Sequence, residues 1–206
     1  MRSKLALLPR LAVLGALLAA ACGGSGDQPA SGQSPAAPCQ NVDFRTCMAD
    51  QKTPPPNILD PSKAYTATVH TSQGDFTLKL DPKAAPVTVN NFVYLSQHGY
   101  YNGLSFHRVV PGFVVQGGDP LGNGTGGPGY KLPDETNPAP WLKGSVGMAS
   151  SAAGVNGSQF FILIGDAPHL TGAGTFNHFG VVSSGQDVVD QIKIGATITS
   201  IDITVS

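Results

Sequence analysis

The sequence predicts a mainly β domain, an antiparallel barrel or sandwich, and three observations carry that prediction. The 206 residues include 26 Gly and 17 Pro, a density of turn formers that suits many short strands. Thr, Val and Ile dominate the segments between those turns, and β-branched side chains pack well on a pleated surface. About eight segments read as strands and two as helices, without the regular strand–helix alternation that builds a parallel sheet.

Residues 1–21 read as a secretory signal. Arg2, Lys4 and Arg10 precede the apolar run Leu11–Ala21, which is too short to span a bilayer comfortably. Ala-Ala-Ala-Cys at 19–22, followed by Gly23 and Gly24, resembles a bacterial lipoprotein signal, so Cys22 is expected to be lipidated and to anchor the chain outside the cytoplasm. Residues 22–64, rich in Gly, Ser, Pro, Ala and Gln, bury too little apolar surface to order themselves and read as a disordered tether. Cys39 and Cys47 interrupt it. An exported compartment permits disulfides, and a Cys39–Cys47 bridge is favoured over free thiols or a metal site because no His lies beside them.

The domain is expected over 65–206. Tyr65 to His70 alternates, Ser72-Gln-Gly-Asp75 turns, and Phe76 to Leu80 alternates again, which is a hairpin pattern. Pro86 opens a helix to about Gln97, where Val89, Phe92 and Val93 share one face at i, i+3, i+4. Two strands, Leu104–Val109 and Phe113–Gly117, flank a Pro111-Gly112 turn. A Gly-rich loop from Asp119 to about Pro140 leads to a strand at Ser145–Met148. Gln159–Ile164 is continuously apolar after its first residue and suits a buried strand. Phe179–Val182 as a strand, a helix over Gln186–Ile194 and a final strand over Ala196–Val205 complete the order.

Charge excludes one class of partner. Only 12% of residues are charged and the net charge is −1, so there is no basic field for nucleic acid. Gly122-Asn-Gly-Thr-Gly-Gly127 matches a dinucleotide-binding pattern, but Pro128-Gly129 follows and cannot propagate the helix that pattern requires. The five histidines show no metal-ligand spacing and no G-x-S-x-G elbow exists, so no metal or other cofactor is expected. Asp134 and Glu135, adjacent in a Pro-rich loop, are expected to be solvated. What stands out is Arg108, Phe113 and Gln116 around the Pro111-Gly112 turn. This set holds a cation, an aromatic ring and an amide, with no evident acid, base or nucleophile, so its chemistry must work by positioning and electrostatics.

Phe106-His-Arg-Val-Val-Pro-Gly-Phe-Val-Val-Gln-Gly-Gly-Asp119 and Asn156-Gly-Ser-Gln-Phe-Phe161 resemble the cyclophilins, which are peptidyl-prolyl cis-trans isomerases. Gly124-Thr-Gly-Gly127, Met148-Ala149, Leu170 and Phe179-Gly180 follow in the same family order. The resemblance implies a closed eight-stranded antiparallel barrel capped by two helices. It implies that Arg108 is the catalytic cation, that Phe113 and Phe161 wall a proline pocket, and that Gln116 contacts the substrate backbone. It further places Val114 (where Met is usual), Ala149, Ser150 (in place of Asn), Gln159, His169 (in place of Trp), Leu170 and Phe176 along the peptide groove. The implied partners are proline-containing polypeptides, handled by a monomer that needs no cofactor. A non-catalytic proline-peptide-binding module is the alternative. A redox role for Cys39 and Cys47 is disfavoured, since they form no C-x-x-C motif.

Overall fold

The computed structural model describes Cys39, residues 43–171 and residues 176–206, which belong to one unit. Helix α1 (Phe44–Ala49) comes first, capped by the Asp43 carboxylate, which accepts from Thr46 N at 3.0 Å. A hairpin of β1 (Tyr65–Thr71) and β2 (Gly74–Leu80) follows, then helix α2 (Pro86–Gln97). The β strands β3 (Arg108–Val110), β4 (Val114–Gly117), β5 (Lys131–Leu132), β6 (Ser145–Ser151) and β7 (Gly154–Leu163) come next. A 3₁₀ turn at Pro168–Leu170, strand β8 (His178–Ser184), helix α3 (Gln186–Gln191) and strand β9 (Ile198–Val205) end the chain.

All pairings are antiparallel, and the path runs β3-β4-β7-β6-β8-β2-β1-β9, with β5 on the far half of β7. The closed barrel expected from the sequence needs correction here, because β3 and β9 do not pair as strands. The two ends of the curled sheet meet at a single bridge, Ser105–Thr197, supported by Phe106 N donating to Ala196 O and Ile198 N to Leu104 O, each at 2.8 Å. The expected strand Leu104–Val109 is spent on this junction in its first half, so β3 begins only at Arg108.

Alternation along the central strands sorts side chains into two clusters. On one face of the sheet, Phe160 and Ile162 of β7, Val115 of β4 and Val146 and Met148 of β6 join the main core with Phe92 of α2. On the other face, Phe161 and Leu163 of β7 and Val114 of β4 join Trp141 and Ala167 in a smaller cluster. That second apolar face explains the unbroken apolar run of β7, and it is where the site lies.

Residues 43–64 differ from the disordered tether expected of them. Phe44 stacks on His98 with ring centroids 4.9 Å apart, and Cys47 and Met48 are buried. Cys39 and Cys47 are joined by a disulfide. Gly129 N donates to Met48 O at 2.9 Å, and a side chain at Gly129 would collide with the carbonyl oxygens of Ala49 and Gln51. Further on, Ile58 N donates to Asn90 Oδ1 at 2.7 Å, and Asn90 Nδ2 donates back to Pro56 O at 3.0 Å. Residues 1–38, with the expected signal and Cys22, lie outside the described residues.

Glu135 is also placed differently from the solvated residue expected. Ala85 at the head of α2 offers no capping side chain. Glu135 reaches across instead, accepting from Val87 N and Thr88 N at 2.8 Å each and from Thr88 Oγ1 at 2.7 Å. A carboxylate at a helix N-terminus satisfies orphan amides and opposes the helix dipole favourably.

Candidate functional site

The Pro111-Gly112 turn folds β3 back on β4, and the register sets Arg108 directly opposite Gln116. Gln116 is in turn opposite Phe161 of β7, and Phe161 is opposite Gly147 of β6. One row across four strands therefore carries the cation, the amide and the aromatic ring. Arg108 is exposed. Its Nη1 donates to Gln116 Oε1 at 3.3 Å, and its guanidinium carbon sits 6.0 Å from the centre of the Phe113 ring.

A chain of amides fixes this geometry. Gly126 O accepts from Gln159 Nε2 at 2.8 Å. Gln159 Oε1 then faces Gln116 Nε2 at 2.9 Å, which leaves Gln116 Oε1 for Arg108. Because a backbone carbonyl only accepts, it dictates the direction of the whole relay. Gln159 is 2% exposed, so its amide is held in a low-dielectric setting where an oriented hydrogen bond counts for more. The Gly-rich loop that supplies Gly126 is itself wound around the buried Asp119 carboxylate, which accepts from Leu121 N and Asn123 N at 2.8 and 3.0 Å. The stretch that mimics a dinucleotide motif is thus a loop that positions an acceptor.

Beside this relay lies an apolar recess. Phe161 stacks on Trp141, with centroids 5.4 Å apart and planes at 28°, and Phe176 meets Phe161 edge-on at 5.7 Å. Val114 is buried against them, and Phe113, Ala149, Leu170 and Phe176 pack around the rim. Ala149 falls where the β6–β7 register shifts, between Met148 and Ser150, and Ser150 follows opposite Val155. His169 is exposed on the 3₁₀ turn with its ring 5.4 Å from that of Phe113. The structure therefore gathers Arg108, Phe113, Val114, Gln116, Ala149, Gln159, Phe161, His169, Leu170 and Phe176 on one face, with Ser150 at its end. Trp141, the back wall, was missed by sequence reasoning; the available signal was that it is the only Trp in the chain.

Next to Arg108 stands His107, whose two ring nitrogens are buried without a hydrogen-bond partner among the described residues. Burial lowers its pKa, and the Arg108 charge lowers it further against an opposing pull from Asp119, so the ring is neutral near pH 7. Among the described residues, none in the recess is arranged as a nucleophile with its base. The arrangement instead offers one fixed cation, two amides and a dry aromatic wall, which suits holding an apolar ring and stabilising charge redistribution in a backbone segment.

This combination suits the handling of a peptide segment, and comparison with known proteins gives the family. Residues 66–205 match the family described as cyclophilin type peptidyl-prolyl cis-trans isomerase/CLD. A peptidyl-prolyl cis-trans isomerase of Helicobacter pylori is 44% identical over 159 residues, covering 70% of this chain and 96% of that protein. Another from Synechococcus elongatus is 47% identical over 139 residues, covering 66% and 94%. A crystal structure of a Cryptosporidium parvum cyclophilin type isomerase, determined in the presence of the dipeptide Ala-Pro, superposes with a TM-score of 0.61 at 30% identity, covering 68% of this chain and 98% of that one. The chain belongs to the cyclophilin-type peptidyl-prolyl cis-trans isomerases and is an isomerase.

Proposed function

We propose that Arg108 accelerates X–Pro rotation by donating a hydrogen bond to the proline nitrogen as that atom becomes pyramidal. Twisting the bond removes amide resonance against a barrier of about 18–20 kcal/mol. The twisted nitrogen regains a lone pair that the planar amide lacks, so a donor aimed at it favours the transition state over the ground state. Phe113, Val114, Phe161, Leu170 and Phe176 hold the proline ring. Gln116, Ala149 and Ser150 bind the flanking backbone, Gln159 lines the groove beneath them and orients Gln116, and His169 forms the rim. The observation that carries this reading is the relay from Gly126 O through Gln159 and Gln116 to Arg108, set beside the aromatic recess of Phe161, Trp141 and Phe176.

Arg108→Ala is expected to lower kcat/KM on a proline peptide by about 10²–10³, the usual loss for one transition-state donor, with near-ultraviolet circular dichroism unchanged. Turnover at the wild-type level would overturn the mechanism. A wild-type protein that binds proline peptides without speeding exchange between their isomers would favour the binding-module alternative.

The substrates are proline-containing segments of exported or cell-envelope proteins. This rests on residues 1–22, whose basic start, apolar run and terminal Cys22 fit a cleaved signal and a lipid anchor at the extracytoplasmic face of the membrane. The domain acts as a monomer. Mass spectrometry of the mature N-terminus tests the location: an acylated Cys22 supports it, and an unmodified N-terminal Met1 refutes it.

A further inference from the structure

Residues 55–64 precede the span that matches the family, yet they are folded beside strands β2 and β8 and helix α2 and line a groove there. One part is a trough of about 620 Å³ lined by Lys63, Lys79, Lys83 and Val181. The other, of about 290 Å³, is lined by Pro55, Leu59, Pro86 and Val87. The two meet at Pro61 and Pro82, which line both. The result is one trough with a cationic end and an apolar end, separate from the residues around Arg108.

The cationic end keeps an excess of positive charge, although Asp60, whose pKa is lowered first by hydrogen bonds from Ser62 and last by the Lys63 charge, stands near one of its lysines. None of the three lysines forms an ion pair among the described residues, whereas Lys143 does, with Asp190 at 2.6 Å. The one carboxylate lining the trough, Asp81, is turned to its own backbone, accepting from Lys83 N at 3.1 Å and Ala84 N at 3.0 Å. His178 also lines the trough; it is 7% exposed and its Nε2 has no hydrogen-bond partner among the described residues. In a chain of net charge −1, three lysines around a concavity, set against the carboxylates of Asp60 and Asp81, and a buried nitrogen without a partner among the described residues mark a place for negative charge. Val181, 41% exposed at the cationic end, and Leu59, Pro86 and Val87 at the other supply apolar contact for the same occupant.

We propose that this groove is a second polypeptide-binding site, which takes an extended segment with apolar residues followed by acidic ones and requires no proline. The two parts share Pro61 and Pro82, so one extended segment can occupy both. Their sequence of apolar then cationic lining matches such a segment by charge complementarity. It would let the enzyme hold a client at one place while the Arg108 recess works on a neighbouring X–Pro bond, raising the effective concentration of that bond.

The test uses the full chain and a fluorescent, proline-free peptide of Leu and Val followed by Asp and Glu, with anisotropy as the readout. Saturable binding is expected, weakened by salt and not displaced by the dipeptide Ala-Pro. Combining Lys63→Ala, Lys79→Ala and Lys83→Ala should weaken it roughly tenfold or more, as expected for three ion pairs at a surface, with turnover of a short proline peptide unchanged. Should that triple variant lose its cooperative melt, Lys79→Glu alone carries the same comparison. The proposal is overturned by absent binding, by equal binding in the lysine variants, by displacement with Ala-Pro, or by equal binding of a peptide with neutral residues in place of the acidic ones. Lysine-dependent retention on phosphatidylglycerol vesicles without peptide binding would also overturn it, assigning the cations to a lipid surface.

Discussion

Gly147→Ala tests whether the shape of the recess is set by the packing of its two large rings. Gly147 lies in the middle of β6, paired with Phe161 on one side and His178 on the other, so its backbone cannot retreat. A Cβ there would stand 2.5 Å from Phe161 Cζ and 2.6 Å from Trp141 Cη2. Carbon atoms pack comfortably at about 3.5–4.0 Å, so the rings would have to give by about 1 Å. Both are nearly fully buried, at 5% and 4% exposure, and Trp141 is also boxed in by His178 at 4.8 Å. Overpacking of this kind costs about 1–3 kcal/mol, which in a domain of this size lowers Tm by roughly 2–12 °C. Phe161 is the ring freer to move, toward the substrate side, so kcat/KM should fall with stability. Calorimetry and a proline-peptide assay on the same preparation read both effects. Adding Phe161→Leu should recover the melting temperature and leave activity low, because the pocket wall is then missing. A Gly147→Ala protein with unchanged Tm and unchanged kcat/KM would refute the packing argument.

Three further outcomes follow from single contacts. Gln159→Leu removes the link between Gly126 O and Gln116 and should lower kcat/KM by roughly tenfold, the value of about one oriented hydrogen bond, with KM less affected than kcat; equal loss in a binding assay would contradict a positioning role. Glu135→Ala strips three hydrogen bonds from the start of α2 and should cost about 1–3 kcal/mol in urea unfolding. His70 contacts Asp75 at 2.8 Å and Asp202 at 3.3 Å, and the hydrogen bond to Asp75, with a smaller share from Asp202, raises its pKa. A raised folded pKa gives stability that is full below the unfolded value of about 6.5 and is lost as pH rises through the folded value. His70→Asn should therefore lower Tm near pH 5 and leave it almost unchanged near pH 9; the opposite ordering would show that the charged pair contributes nothing.

The strands were legible because their faces alternate, and the β1–β2 hairpin lies within two residues of where its pattern predicts. Closure was not legible, since it depends on whether residues 104–106 and 195–198 meet as a ladder or at one bridge, a distance of some ninety positions that no local pattern spans. The capping of α2 by Glu135 is hidden for the same reason, with 48 residues separating donor and acceptor. Helix α1 is a different kind of miss. Its surroundings are rich in Gly, Ser and Pro, and averaging over 22–64 concealed a short local signal: Asp43 as a cap, then Phe44, Cys47 and Met48 at i, i+3, i+4. Composition over a long window cannot reveal six residues that are received by a disulfide, by His98 and by the main core.

The site shows the same division between local and distant information. Period two places Arg108 and Gln116 on a common face as soon as the turn between them is recognised, and the structure pairs them directly. The run Gln159-Phe-Phe-Ile-Leu163 is apolar on both faces, so periodicity cannot say which Phe enters the core; the resemblance to a family singled out Phe161. What decides it physically is the neighbour on each side. Phe160 meets Phe92 and Tyr101, edge-on, in the main core, while Phe161 has Gly147 beneath it, leaving room for Trp141 to stack. A glycine in one strand and a lone tryptophan in a proline-rich loop thus determine that one of two adjacent, chemically identical side chains is structural and the other forms the wall of the recess.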